Sequence, residues 1–231
     1  MNPVIEVSKL QYKYEDGTEA LRGIDFTLQP GECVAVLGAN GSGKTTFVLH
    51  LNGLLTASSG SVKICGMEVN KGNLAKIRQR VGLVFQDSDE QLFMPTVMED
   101  VMFGPLNQGL TAQQAEARAH KALEQTGIAK LAGKAPYHLS SGEKRRASLA
   151  GILAMDPEVL VLDEPTTFLD PPGQRDLRDL LKALPQAKLI VTHDIPFARS
   201  LASRAVFFAE GRIEAADTVD ALIQGFNWEF N

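Results

Sequence analysis

The sequence predicts an α/β fold: a largely parallel sheet, an antiparallel β part ahead of it, and an α-helical segment inserted in the middle of the chain. Three observations carry this. Short, nearly continuous apolar runs at 34–37, 81–85, 159–162 and 188–192 suit strands covered by helices on both faces. The stretches "VIEVSKLQYKY" and "GIDFTLQPGE" alternate with period two, as half-exposed antiparallel strands do. Between 87 and 156 the pattern turns mostly helical.

"SVKICG" at 61–66 reads as a further alternating strand. The run at 34–37 leads into "LGANGSGKTT", and a helix is expected from Thr45 to about Leu51. Thr111 and Gln114 form a capping box for a helix through Gln125, which Gly127 stops. A second helix is expected from Ser140 or Ser141 to Pro157. "FFAEGRI" reads as a hairpin turning at Glu210-Gly211. The whole chain, 1–231, is expected to be one domain, with an α/β core at 1–86 and 157–231 and a helical subdomain at 87–156.

The totals fit this. A chain of 231 residues with 44% hydrophobic and 22% charged residues has a core of ordinary size. The net charge of −5 gives no general attraction to nucleic acid or an anionic membrane. Cys33 and Cys65 lie in strand-like apolar contexts and read as small buried hydrophobes rather than a disulfide or metal site. With no basic-apolar leader and no run of about 18 apolar residues, a cytosolic location is expected.

Chemistry concentrates in three places. Gly38, Gly43, Lys44 and Thr45 match G-x-x-x-x-G-K-[ST], between an expected strand and helix. Glycines let successive N–H groups point inward at a polyphosphate, and the helix N-terminus adds partial positive charge. Lys44 supplies a point charge to the β/γ phosphates, and the Thr45 hydroxyl can bind Mg2+. "VLVLDEP" at 159–165 ends a buried strand in two carboxylates, at the sheet edge where ligands of open α/β folds bind. Asp163 suits Mg2+, and Glu164 is free to orient and deprotonate a water. "LSSGEKRR" at 139–146 opens a helix with small residues, a second anion site. Taken alone, that stretch reads equally well as an ordinary capped surface helix.

In their order, the phosphate loop, "VFQ", "LSSGE", "VLVLDEP", "FLD" and "VTHD" resemble the ATP-binding subunit of ATP-binding-cassette (ABC) transporters over essentially the whole chain. The resemblance implies a P-loop NTPase (RecA-like) core and a head-to-tail dimer. Each of two ATP molecules would lie between the phosphate loop of one subunit and the "LSSGE" segment of the other. It implies ATP contacts from Gly38, Asn40, Gly41, Ser42, Gly43, Lys44, Thr45 and Thr46, with Tyr14 stacking on adenine and Tyr12 as its rival. Gln86 resembles the glutamine that senses Mg2+ and water, giving Thr45, Gln86 and Asp163 as the metal set. Ser140 and Gly142 would touch the partner's ATP, and Asp170 would sit across the interface. Glu164, His193 and Lys44 are the implied catalytic set, His193 holding the γ-phosphate geometry. His50, His120 and His138 match no such position.

Two departures stand out. The usual L-S-G-G-Q has Ser141 and Glu143 in place of glycine and glutamine, and Phe168 occupies a position usually small. Glu143 adds negative charge where phosphate should arrive. "VFQDSDEQLF" and "TVMEDVMFGPLNQGL" are similar to the energy-coupling-factor importers of cobalt, nickel and vitamins, with Ser88 where proline is usual. The short end after "VDALIQGFNWEF" tilts the reading toward cobalt, nickel or biotin systems. The implied partners are a second ATPase subunit, taken as a second copy of this chain, a transmembrane coupling subunit and a substrate-binding membrane subunit. That would hold the protein at the cytoplasmic face of the membrane. The other class considered, a soluble ATP-driven clamp on DNA or ribosomes, lacks its usual coiled-coil insertion or paired cassettes here, and no nucleic acid is expected.

Overall fold

A computed structural model describes residues 2–228. Two sheets carry the chain. Strands β1 (Ile5–Lys13), β2 (Glu19–Leu28), β4 (Ser59–Ile64) and β5 (Met67–Glu68) form an antiparallel sheet in the order β2-β1-β4-β5. Strands β3 (Cys33–Gly38), β6 (Val81–Val84), β7 (Val159–Asp163), β8 (Ala187–Val191), β9 (Arg204–Ala209) and β10 (Arg212–Asp217) form the second, in the order β10-β9-β3-β8-β7-β6. That sheet is parallel apart from β10 at its edge. The β9–β10 hairpin turns at Glu210 (φ 47°) and Gly211 (φ 76°), two successive left-handed residues as its tight turn requires.

The apolar runs are continuous because both faces of the parallel sheet are covered. From β7, Val159 and Val161 enter a core shared with the antiparallel sheet and helix α1 (Lys44–Leu51). Leu160 and Leu162 enter the opposite core, under helices α5 (Ser141–Ala154) and α6 (Pro171–Ala183). From β3, Val34 and Val36 face the first core, and Ala35 and Leu37 face α7 (Ile195–Leu201) and α8 (Val219–Gly225). Phe47 of α1 is fully buried against Phe26 and Phe208, so the helix after the phosphate loop is fixed between both sheets.

Between β6 and β7 lie helices α3 (Val97–Asn107), α4 (Ala112–Gln125) and α5. The Thr111–Gln114 capping box opens α4 as expected, and a second, unanticipated box between Ser140 and Glu143 opens α5. Helix α5 stops at Ala154, short of Pro157, because Asp156 turns left-handed (φ 57°) and proline disfavours helix in the residue before it. Helices α2 (Leu74–Arg80), α6, α7 and α8 are absent from the sequence reading. Cys65 also departs from expectation: it takes φ 49° in the turn joining β4 to β5, and its Sγ lies 3.0 Å from Glu158 Oε2. Cys33 opens β3, where burial pushes its thiol up to about 11. Both cysteines are free. Among the described residues no helix is long and apolar enough to cross a membrane.

Candidate functional site

The loop from Gly38 to Lys44 joins β3 to α1 at the C-terminal edge of the parallel sheet. Its glycines are required by contact as well as conformation. Gly38 has φ 138°, and a Cβ there would lie 2.2 Å from Phe208 O. Gly43 caps α1 with φ 105°, and its Cβ would meet Ala20 O at 2.7 Å. The loop is pressed from the far side by the β9–β10 turn, where Gly211 N–H donates to Ser42 O at 3.0 Å. Lys44, only 7% exposed, curls back so that Nζ donates to Gly38 O at 2.7 Å and Ala39 O at 2.8 Å. Burial pushes its pKa down, opposed by the charges of Glu164 and Asp163.

Asp163 ends β7 opposite this loop and accepts a hydrogen bond from Thr45 Oγ1 at 3.1 Å. Burial pushes its pKa up, and the Thr45 bond opposes that. Glu164 follows in a left-handed conformation, φ 45°, its N–H donating to Val191 O at 2.8 Å. That kink turns its carboxylate toward His193, whose Nδ1 lies 2.9 Å from Glu164 Oε2 and whose N–H donates to the same oxygen at 3.3 Å. The imidazole itself is 70% exposed.

These groups share a cleft of about 480 Å³ lined by Tyr14, Asn40, Gly41, Gly43, Lys44, Thr45, Thr46, Gln86, Asp163 and Glu164. Tyr14 Oη hydrogen-bonds Thr46 Oγ1 at 2.9 Å, and its ring is partly exposed at the rim. Tyr12 stacks edge-on between Tyr14 and His50, and it lines a different pocket. Gly38, Ser42 and His193 are not among the cleft's lining residues: Gly38 O accepts from Lys44 Nζ, Ser42 O accepts from Gly211 N–H, and His193 contacts the cleft residue Glu164. His50 is fully buried; burial pushes its pKa down, and Nδ1 bonds Thr46 O at 2.7 Å.

Three further expected residues lie in a separate cleft. Ser140, Gly142 and Asp170 line a second cleft, about 730 Å³, between α5 and the start of α6. Ser140 caps α5, and Asp170 caps α6 by accepting from Gly173 N–H at 2.9 Å. Glu143 does not project freely: its carboxylate accepts from Ser140 N–H at 2.8 Å and Ser140 Oγ at 2.9 Å, bonds that hold its pKa down. Sequence reasoning missed Arg145 on α5. The residue is 2% exposed, and its guanidinium donates to Phe85 O and Gln86 O. The clustered "KRR" reads as surface charge, and only the packing of α5 on β6 buries the middle one.

A polyphosphate cradle, two carboxylates at a strand end and a separate capped helix N-terminus define a nucleoside-triphosphate-hydrolysing cassette. The model of the ABC transporter family matches residues 21–167, and the chain belongs to that family. A putative ABC transporter ATP-binding protein of Streptomyces avermitilis is 52% identical over 92% of this chain and 81% of its own length. The energy-coupling factor transporter ATP-binding protein EcfA of Methanosphaera stadtmanae is 45% identical over 94% of this chain and 80% of its own. Among solved structures, CbiO1 of Clostridium perfringens, part of the ABC transporter complex CbiONQ, superposes with a TM-score of 0.88. It is 37% identical, covering 99% of this chain and 93% of that one. A dimeric ATP-binding cassette, MJ0796, bound to ADP and phosphate, gives a TM-score of 0.83 at 26% identity, covering 93% of this chain and 98% of that one. The protein is an ABC ATPase, which binds ATP and couples its hydrolysis to transport.

Proposed function

We propose that this chain is the ATP-hydrolysing subunit of an energy-coupling-factor importer, with cobalt or nickel as the transported substrate. The observation that carries the ATPase geometry is the separation of two half-sites on one chain. Lys44, Thr45, Asp163 and Glu164 line one cleft, and Ser140 and Gly142 line another. A head-to-tail dimer would join each cleft to the other's complement.

In this reading Lys44 exchanges the carbonyls of Gly38 and Ala39 for the β/γ phosphates, and the loop N–H groups bind the same charge. Thr45 Oγ1 and Asp163 Oδ2, already 3.1 Å apart, form an all-oxygen pair of the kind Mg2+ takes, with Gln86 lining the same cleft. Mg2+ bound there supplies charge neutralisation on the phosphate oxygens. Glu164, held by His193, orients a water in line with the γ-phosphorus and takes its proton. The bond to the β–γ bridging oxygen breaks, leaving ADP and phosphate. Tyr14 stacks on adenine at the cleft rim.

The membrane partner is proposed to dock on residues 86–107. Phe93 is 62% exposed and Phe103 40% exposed, their rings in edge contact at 5.0 Å. They border a groove of about 370 Å³ with Leu92 and Asp100. The same segment exposes the carboxylates of Asp87, Asp89, Glu90 and Glu99, so it suits an apolar helix carrying arginines. The energy-coupling assignment is supported by the likeness to EcfA and CbiO1. The biotin alternative is separated from cobalt or nickel by purifying the complex and analysing it for metal and vitamin.

The catalytic assignment is tested by substitution. Glu164→Gln is expected to keep ATP binding, abolish nearly all hydrolysis and accumulate an ATP-bound dimer, whereas Lys44→Ala loses binding. Normal turnover by Glu164→Gln would remove Glu164 as the base.

A further inference from the structure

We propose that Arg145 is the positioning residue through which engagement of one ATP site reaches Gln86 in the other. The inference rests on the two half-sites proposed above. Ser140, the residue assigned to the partner's nucleotide, caps helix α5, and Arg145 lies on the following turn. From there the guanidinium leaves the second cleft and crosses to the segment after β6. Its Nη1 donates to Phe85 O at 2.5 Å and its Nη2 to Gln86 O at 2.6 Å. Gln86 in turn lines the phosphate-loop cleft of the same chain. A single side chain therefore spans from the helix that meets one nucleotide to the residue that faces the other.

The link is stiff. The guanidinium is planar, its two donors are set as a fork, and the two carbonyls it holds belong to consecutive residues, so it fixes their orientation as well as their position. The residue is 2% exposed, and among the described residues Nε has no hydrogen-bond partner, so the two Nη bonds hold the side chain in place. Burial pushes its pKa down, with Asp87 opposing. The segment has further ties: Lys144 Nζ lies 2.6 Å from Asp89 Oδ1, and Gln91 bonds Phe85 N–H and Leu83 O. Segment 83–91 thus moves with α5 as one body. A phosphate that draws the N-terminus of α5 across the interface also re-aims Gln86. Arg145 lines the second cleft, but both of its Nη groups are bound to the Phe85 and Gln86 carbonyls, so it acts through the Gln86 backbone.

The test is a double-mutant cycle on the full-length chain. Arg145→Lys keeps the charge and loses the fork. It is expected to lower kcat about tenfold, the size of a typical coupling or misplacement effect. It is also expected to bring the Hill coefficient for ATP toward unity and leave nucleotide affinity at the phosphate loop unchanged. In a Gln86→Ala background the backbone link remains but the side chain it aims is gone, so the same change has no further effect on kcat. Arg145→Gln, which strands no charge in the core, takes its place if the lysine variant unfolds. Equal losses of kcat in both backgrounds, or an unchanged Hill coefficient, would overturn the proposal and leave the half-site reading standing. Full kcat in Gln86→Ala alone would instead overturn the role of Gln86, and this proposal with it.

Discussion

Phe168 sits with φ 65° and 72% of its surface exposed, between the β7 carboxylates and Asp170. A bulky aromatic in the left-handed region carries a steric cost of about 1–2 kcal/mol, which asparagine largely escapes. Phe168→Asn should therefore raise unfolding stability by about 1 kcal/mol and the thermal midpoint by about 2–4 °C, read in a melting scan. An unchanged or lower midpoint would show that the backbone there is unstrained. Tyr14 makes two separable contributions, a ring at the cleft rim and a hydroxyl on Thr46. Stacking of a base on an aromatic is worth roughly 1–3 kcal/mol, so Tyr14→Ala should weaken ATP binding by about tenfold or more, measured by titration. Tyr14→Phe should bind nearly normally. If Tyr12→Ala shows the loss instead, the stacking role passes to Tyr12.

Helix α5 shows how an element changes the meaning of a residue. In isolation Glu143 looks like a charge facing an incoming phosphate. In the helix it is the return half of a capping box, bonded to both Ser140 N–H and Ser140 Oγ. Those bonds hold its pKa down. The stability they add is present above the unfolded carboxylate pKa and is lost as pH falls through the lower folded value. Glutamine can make the same backbone bond without the charge. Glu143→Gln should leave the unfolding free energy at pH 7 within about 0.5 kcal/mol of the parent, as for most surface changes. It should also tighten ATP-driven dimerisation of a Glu164→Gln protein, more at low salt than at high. Sedimentation in both salts reads this directly, and a weaker dimer would contradict the charge argument.

Across the whole molecule, segment 83–91 reaches both sites: Gln91 lines the groove with Leu92, Phe93 and Phe103, and Gln86 lines the phosphate-loop cleft. Nucleotide-driven movement of that segment would reshape the proposed docking surface. Phe93 is largely exposed and Glu90 lies on the surface, so Phe93→Ala with Glu90→Arg should fold normally and keep basal ATP hydrolysis. Assembly with the membrane subunits, or uptake by the complete transporter, should fall at least tenfold, as loss of a buried aromatic anchor commonly costs an interface. Full uptake by a normally assembled complex would move the coupling surface elsewhere.

Much of this was legible in the sequence because it is local. The continuous runs of β3 and β7, the period-two strands, the Thr111 cap and the glycine spacing of the phosphate loop all express backbone constraints acting over a few residues. Carboxylates at the end of a buried strand likewise imply a charged ligand from the strand alone. Packing decided the rest. Cys65 looks like a strand residue until the β4–β5 turn claims it, and Arg145 looks like surface charge until α5 lies on β6. The separation of Ser140 and Gly142 from Lys44 depends on where the helical insert rests against the sheet. Such facts arise from contacts between residues far apart in the chain, and a short window of sequence carries no energy term for them.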